Sequence, residues 1–289
     1  MTIGIKQRAE AYLEAANEVR AIEDEQRPES ERLEKITTVL LDLARRSELF
    51  PIHAFPRTPG TPGGLFRLAE FPDRKGTIYM SLGFTGRTQT PHRHASWAIV
   101  AGVSGGTETN TLYDFEKDDS APNAARLHRR GEFVVGPGQA VSIETGVYHT
   151  INVVSDTPVL HLHAYGLSVD KEGFELPTFE SADARTFGTR ATGGFRPPLS
   201  IVQDEDIRAD IAQGHAVLLV LDGSAPVFAG PHVYRGSANT LNEAKIEKQT
   251  PIVLVGSDAV VLEAARALYA AGYPLIFQHR SAASASAAA

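Results

Sequence analysis

Five of the ten histidines fall in three short groups in the middle of the chain, and their spacing is typical of metal ligands. His92 and His94 are separated by one residue, and His149 comes later, after a Gly-Val-Tyr turn. Residues two apart on a β-strand point to the same face, so His92 and His94 can reach one ion while Arg93 points away. Neutral imidazoles are good ligands for Fe, Ni, Cu or Zn, and three of them leave coordination positions open. The spacing predicts a metal site formed by His92, His94 and His149.

A second alternating segment contains His161, His163 and Tyr165. The residues between them are apolar, so a strand here presents its polar side chains on one face and its apolar side chains on the other. Two interpretations follow from this pattern. The polar residues act beside the metal, or they form a satisfied polar pair in the wall of a barrel.

The amino-acid composition excludes several kinds of functional site and partner. The 289 residues include no cysteine, so disulfides, thiolate metal ligands and a cysteine nucleophile are excluded. The formal net charge of -7 argues against nucleic acid and anionic membranes as partners. The first residues lack the apolar segment of a signal peptide, and no apolar run approaches the roughly 20 residues that cross a bilayer. We therefore expect a cytoplasmic protein.

Three kinds of periodicity divide the chain. Residues 1–48 show apolar residues at helical spacing, which predicts two amphipathic helices over about 5–47 that pack on the next domain. Residues 49–190 contain short β-rich runs separated by turn residues, which predicts a sandwich or barrel. In residues 198–280, continuous apolar strands alternate with helices, which predicts a small parallel α/β domain. Residues 193–198 read as a linker, and the Ser/Ala-rich residues 281–289 as a disordered tail.

The spacing of the β-rich region resembles a specific family. Gly86, five residues, His92-x-His94 resembles the first motif of the cupins, and Gly138, five residues, Glu144-x-Gly146-x-x-His149 resembles the second. The resemblance implies a mainly β cupin fold, that is, a double-stranded β-helix or jelly-roll barrel. Most cupins add a glutamate ligand shortly after the second histidine. Here that place holds Ala-Ser-Trp-Ala, so the chain is similar to cupins with three histidine ligands and no carboxylate.

The thiol dioxygenases, which include cysteine dioxygenase and 3-mercaptopropionate dioxygenase, are cupins of this kind. Their bacterial members carry a His-x-His-x-x-Trp segment that resembles residues 92–97, and a Ser-x-His-x-Tyr strand that resembles residues 161–165. His161 stands where those enzymes have serine, and Arg93 where they usually have aspartate. No arginine follows Tyr165 directly, unlike in 3-mercaptopropionate-type enzymes.

This resemblance implies an Fe(II) enzyme that converts a small thiol and O2 into a sulfinic acid. Tyr165 would offer a phenol hydrogen bond at the metal, His163 would orient that phenol, and His161 would be the next residue in line. Arg67, in a segment where cysteine dioxygenases bind the substrate carboxylate, and Trp97 are the candidate substrate-binding residues. Two alternatives stay open. One is a cupin metalloenzyme acting on a non-thiol substrate, and the other is a non-enzymatic ligand sensor or binding protein.

Residues 198–280 resemble a rhodanese domain. Pro251-Ile-Val-Leu-Val-Gly256 would lead into its active-site loop, but Gly256 stands where the sulfur-carrying cysteine belongs. Because persulfide chemistry needs that thiolate, we expect this domain to be catalytically inactive. It would serve in packing, as a lid, or in forming a homo-oligomer, unless its loop retains an anion-binding pocket.

Overall fold

The computed structural model describes residues 3–57, 60–169, 175–191, 198–221 and 228–281. The chain begins with helices α1 (Ile5–Glu23) and α2 (Glu29–Ala44), followed by two short 3-10 turns. Both helices agree with the predicted helical segment. Pro28 caps α2, where a missing N–H costs little. The acidic Glu29 and Glu31 lie in the first turn, where they favour the helix dipole.

A mainly β domain follows, as predicted. Its described part contains eleven strands: β1 (Gly63–Ala69), β2 (Lys75–Gly83), β3 (Thr88–His92), β4 (Ala98–Gly105), β5 (Glu108–Lys117), β6 (Ala125–Val135), β7 (Ala140–Ile143), β8 (Tyr148–Val153), β9 (Val159–Leu167), β10 (Glu175–Phe179) and β11 (Phe187–Ala191). They form two antiparallel sheets. The strand order is β1-β2-β9-β4-β7 in the first sheet and β11-β10-β3-β8-β5-β6 in the second.

The first sheet is buried on both faces, and its strands separate polar from apolar side chains. On β9, Leu160, Leu162 and Ala164 pack in the large apolar core with the helices. His161, His163 and Tyr165 lie on the opposite face, as the alternation predicted. Strand β2 follows the same rule, with Ile78, Met80 and Leu82 in the helix-facing core. On β2 and β9 the face directed at the second sheet thus carries polar and aromatic side chains, while β4 and β7 add aliphatic ones such as Val100 and Val141.

The C-terminal domain is a parallel α/β unit, as predicted. Its elements are β12 (Ile201–Val202), α3 (Asp204–Ala212), β13 (Val217–Val220), β14 (Val233–Arg235), α4 (Ala238–Glu243), β15 (Ile252–Val255), α5 (Asp258–Ala270) and β16 (Ile276–His279). The strand order is β12-β16-β15-β13-β14, and all four pairings are parallel. Gly256 lies directly between β15 and α5. The rhodanese-like character of this domain stays a prediction.

Helix α1 connects the two domains. Its apolar face shares one core with the first sheet and with residues of the parallel sheet such as Val253. Arg8 is fully buried and lies 3.7 Å from the buried Asp206 at the start of α3. The backbone N–H of Lys6 donates to Asp210 at 2.9 Å. The N-terminal helices thus pack on the C-terminal domain as well as on the β-domain, which the sequence did not predict.

Two further predictions concern the linker at residues 193–198 and the tail at residues 281–289. Most of the predicted linker and of the predicted tail lies outside the described residues. Among the described helices, none has both the length and the apolar character needed to cross a membrane.

Candidate metal centre

Two strands of the second sheet carry His92 and His149. His92 is the last residue of β3 and His149 the second residue of β8, and the two are direct partners in the antiparallel ladder. A glycine with positive φ precedes each strand by two residues: Gly86 at 83° and Gly146 at 89°. Only glycine adopts this conformation without strain, so these two positions fix the turns that aim both strands. These turns explain why the sequence motif has glycine at these two positions.

His94 reaches the site by a different route from the one predicted. The sequence placed His92 and His94 on one strand, but β3 ends at His92 and His94 lies in the loop before β4. The reason is topological, because β3 belongs to the second sheet and β4 to the first, so the chain must cross between sheets at this point. Arg93 does point away from the site, with its guanidinium 5.7 Å from the ring centroid of Tyr148.

The three imidazoles converge on one point between the sheets. The ring of His92 lies 5.2 Å from that of His94 and 4.4 Å from that of His149, between centroids. The Nε2 atoms of His94 and His149 are 3.0 Å apart. Two nitrogens that bind one ion at about 2.1 Å and at right angles to each other are also about 3.0 Å apart. The three side chains could therefore hold one metal ion.

Hydrogen bonds on the outer side of two rings set their tautomers. His92 Nδ1 lies 2.9 Å from the carbonyl oxygen of Thr90, and His149 Nδ1 lies 3.1 Å from Asn110 Oδ1. Since both partners accept, each Nδ1 carries the proton and each Nε2 keeps its lone pair. This arrangement is common around protein-bound metals, where it orients the ligand ring and raises its basicity. The donor set fits a divalent transition ion.

Burial keeps two of the three ligands neutral. Desolvation, followed by the charge of His92, lowers the pKa of His94 well below its usual value. Desolvation and then the neighbouring histidines have the same effect on the pKa of His149. Both rings thus present lone pairs rather than positive charge to an ion at neutral pH.

Tyr165 lies beside this triad, with its ring centroid 4.9 Å from that of His94. Its hydroxyl oxygen is 3.0 Å from Nδ1 of His163, a contact that fits both an oriented phenol and a satisfied polar pair in the barrel wall. Burial raises the pKa of Tyr165 and lowers that of His163 well below its usual value. The pair is therefore a neutral phenol next to a neutral imidazole. Tyr165 packs against a ring of the triad, and the catalytic role of the pair stays a prediction.

His161 lies further inside the β-domain and is fully buried. It forms a second group with Glu108 and His163, in which one potential ligand atom from each lies within 4.8 Å of the others. The sequence analysis did not identify Glu108 or Asn110 as members of a polar cluster. Both are fully buried on β5, and Asn110 Nδ2 donates to Glu108 Oε1 at 3.0 Å. The alternation Glu-x-Asn-x-Leu at 108–112 was the available signal.

Arg67 is buried, but its described contacts lead away from the triad. Its guanidinium lies 3.3 Å from the carboxylate of Glu70 and 4.9 Å from the ring centroid of Tyr269 in α5. Glu70 accepts from the Ser168 hydroxyl at 3.2 Å, and that oxygen is 2.7 Å from the hydroxyl of Tyr79. Arg67 therefore connects the C-terminal domain to the polar interior. None of these contacts tests whether Arg67 binds a substrate carboxylate, and that role stays a prediction.

Trp97 is almost fully buried in the core shared with the helices. Its indole Nε1 donates to Glu23 at the end of α1, at 2.9 Å. The structure thus places Trp97 on the helix-facing side of the first sheet and does not bring it into the triad. Its contacts are those of a packing residue, which was the alternative considered for it, and substrate binding stays a prediction.

Comparison with known proteins gives only distant similarities. No protein-family model matches the chain, and no curated protein matches its sequence. Among solved structures, oxalate decarboxylase from Lactobacillus farciminis is 18% identical, covers 39% of this chain and 31% of its own, and has a TM-score of 0.29. An RmlC-like cupin protein from Ralstonia eutropha JMP134 is 16% identical over 47% of this chain and 72% of its own, with a TM-score of 0.29.

Hydroquinone 1,2-dioxygenase PnpCD, solved with Cd2+ and 4-hydroxybenzonitrile, is 9% identical over 34% of this chain and 66% of its own, with a TM-score of 0.26. This chain thus spans about a third of the oxalate decarboxylase that it matches. Because these TM-scores are low, the similarities do not assign an activity to this chain.

Proposed function

We propose that this protein is a cupin-type, non-haem Fe(II) thiol dioxygenase that converts a small thiol and O2 into the corresponding sulfinic acid. One observation carries the proposal. Three imidazoles converge beside a phenol–imidazole pair, Tyr165 and His163, and among the described residues no carboxylate joins the group of three histidines. The same combination underlies the resemblance of residues 92–97 and 161–165 to the thiol dioxygenases.

The charge of the ligand set suits this chemistry. Three neutral ligands leave the full double charge of Fe(II), which lowers the pKa of a bound thiol and favours the thiolate. When bound, the iron supplies a centre at which thiolate sulfur and oxygen meet, which is a proximity effect. Both oxygen atoms end on sulfur, RSH + O2 giving RSO2H, so no separate reductant is needed.

The remaining residues orient the reactants and their protons. Tyr165 keeps its proton, because burial raises its pKa, so its hydroxyl can donate a hydrogen bond at the metal position. His163 holds that hydroxyl through the 3.0 Å contact at Nδ1. Asn110 fixes the ring of His149 from behind. Protein groups thus position the reacting atoms while the buried setting excludes bulk water.

The test is oxygen uptake by Fe(II)-loaded protein with a panel of thiols, with mass spectrometry of the products. The panel spans cysteine, cysteamine, 3-mercaptopropionate, mercaptosuccinate and several aromatic thiols. We expect uptake with at least one thiol and a product heavier by two oxygen atoms, both labelled when 18O2 is used. His92→Ala should lose the metal of the three-histidine site and oxygen uptake together, while His128→Gln, an exposed histidine paired with Glu116, should keep both.

The contrary results are equally specific. No uptake with any thiol, from protein shown to retain iron, would contradict the proposal. Uptake with a diketone or a phenolic compound instead would favour a metalloenzyme of a non-thiol substrate. Failure to retain metal would favour a ligand sensor or binding protein.

A further inference from the structure

The interior of the β-domain contains a second cluster of polar side chains, next to the three-histidine site. Glu108 and His161 are fully buried and His163 is 3% exposed. Four of their polar atoms have no hydrogen-bond partner among the described residues: Glu108 Oε2, His161 Nδ1, His161 Nε2 and His163 Nε2. Leaving a buried polar atom without a partner is costly, because the atom loses its hydrogen bonds to water and gains none in return. Four unpartnered polar atoms in one buried cluster indicate a ligand that binds them.

The remaining polar atoms of the cluster are already used, and this selects one atom from each residue. Glu108 Oε1 accepts from Asn110, which leaves Oε2. His163 Nδ1 contacts the Tyr165 hydroxyl, which leaves Nε2. His161 has both ring nitrogens available. One carboxylate oxygen and two imidazole nitrogens therefore remain, and one atom from each residue lies within 4.8 Å of the others.

The distances suit a shared cation better than hydrogen bonds. His161 Nδ1 and Glu108 Oε2 are 3.9 Å apart, which is too far for a hydrogen bond. Two ligand atoms that bind one ion at about 2.1 Å lie about 3.0–4.2 Å apart, depending on the angle between them. The observed separation falls within that range. Two imidazoles and one carboxylate form a set of ligands that divalent first-row transition ions accept.

Arg87 is a charged side chain that acts on this cluster. Its guanidinium donates to Ser81 Oγ at 2.8 Å and to the carbonyl oxygen of Leu82 at 3.3 Å. Both of these partners are neutral, so the charge of Arg87 still acts on Glu108 and His161.

We propose that Glu108, His161 and His163 form a second metal site, specific for a divalent first-row transition ion and distinct from the site of His92, His94 and His149. The presence of histidine at position 161 is what completes it. The two sites meet at Tyr165, whose hydroxyl contacts His163 and whose ring packs on His94.

An ion on Nε2 of His163 has a consequence for Tyr165. It places the His163 proton on Nδ1, which then donates to the Tyr165 oxygen. The Tyr165 O–H is thereby released to donate toward the three-histidine site. The second ion would thus be a structural group that sets the direction of this hydrogen bond.

The test is metal stoichiometry with Co(II), measured by elemental analysis after dialysis and by visible absorption of the bound ion. We expect two equivalents in the wild-type protein and one in His161→Gln. His92→Ala should also retain one, with a different spectrum. His128→Gln serves as the matched surface control and should retain two. His92→Ala leaves the second site intact, and His161→Gln leaves the three-histidine site intact. The two variants therefore show separately whether each site binds metal.

One equivalent in the wild-type protein, unchanged in His161→Gln, would overturn the proposal and leave buried water as the partner of these atoms. If His161→Gln does not fold, anomalous diffraction from Co(II)-soaked wild-type crystals decides the matter. A peak between Glu108 and His161 supports the site, and a peak at the three histidines alone overturns it.

Discussion

Lowering the pH from 7 to 5 should destabilise the metal-free protein, and His161 should account for a definite part of the loss. The ring is fully buried, and desolvation, followed by the charge of Arg87, lowers its pKa from 6.5 to about 4. The unfolded chain therefore binds a proton on this residue as the pH falls through 6.5, whereas the folded protein does so only near pH 4. Stability is fully present above pH 6.5 and is lost below it.

The size of the effect follows from the two pKa values. At pH 5 nearly every unfolded chain carries this proton, while about one folded molecule in ten does, so His161 alone costs about 2 kcal/mol relative to pH 7. His94, His149 and His163 act in the same direction, because burial lowers their pKa as well. Glu108 acts in the opposite direction, because burial raises its pKa. Only a comparison between variants isolates His161.

The assay is urea unfolding in the presence of a chelator, at pH 7 and pH 5, for the wild-type protein, His161→Gln and His128→Gln. Glutamine removes the titrating group, so the loss of stability between the two pH values should be about 2 kcal/mol smaller in His161→Gln than in the wild type. His128→Gln is the control for the same substitution at an exposed position. Equal losses in all three proteins would refute the reasoning, because they would show that the folded protein protonates His161 as readily as the unfolded chain.

Three further predictions concern single contacts. Asn110→Ala removes the acceptor of the His149 ring and should weaken metal binding about 10–100-fold in a chelator competition, whereas the exposed Asn123→Ala should not. Trp97→Phe loses the bond to Glu23 and should cost about 1–2 kcal/mol in urea unfolding, and an altered KM at unchanged stability would instead assign it to substrate. Tyr165→Phe should slow turnover with metal retained, and unchanged kinetics would make it a packing residue.

Much of the fold could be predicted because its signals are local. The helical spacing of apolar residues identified α1 and α2, and continuous apolar runs identified β13, β15 and β16. The missed elements, β14 and α4, have three and six residues, too few to establish a period. The contact of α1 with the C-terminal domain also went unpredicted, because its buried pair Arg8 and Asp206 joins residues far apart in the chain.

The candidate site divides in the same way. The alternate spacing of His161, His163 and Tyr165 correctly predicted one polar face, because alternation is a property of any strand. The same rule placed His94 wrongly on a strand. Alternation does not indicate where a strand ends, and β3 ends at His92, before the chain crosses to the other sheet. Asn110 could not be linked to His149 from the sequence, because only the pairing of β5 with β8 brings the two residues together.

By itself, the sequence determined the types of chemistry available: imidazole and carboxylate ligands without thiols, on strands whose faces alternate, with glycine turns that only left-handed backbone can form. Tertiary structure alone decided which side chains meet. It put Arg67 beside Glu70 and Trp97 beside Glu23, and it assembled Glu108 with His161 and His163. The physical reason is that the spacing of residues along one strand determines only which side chains share a face of that strand. A site between two sheets depends on register and on crossing loops that join distant segments.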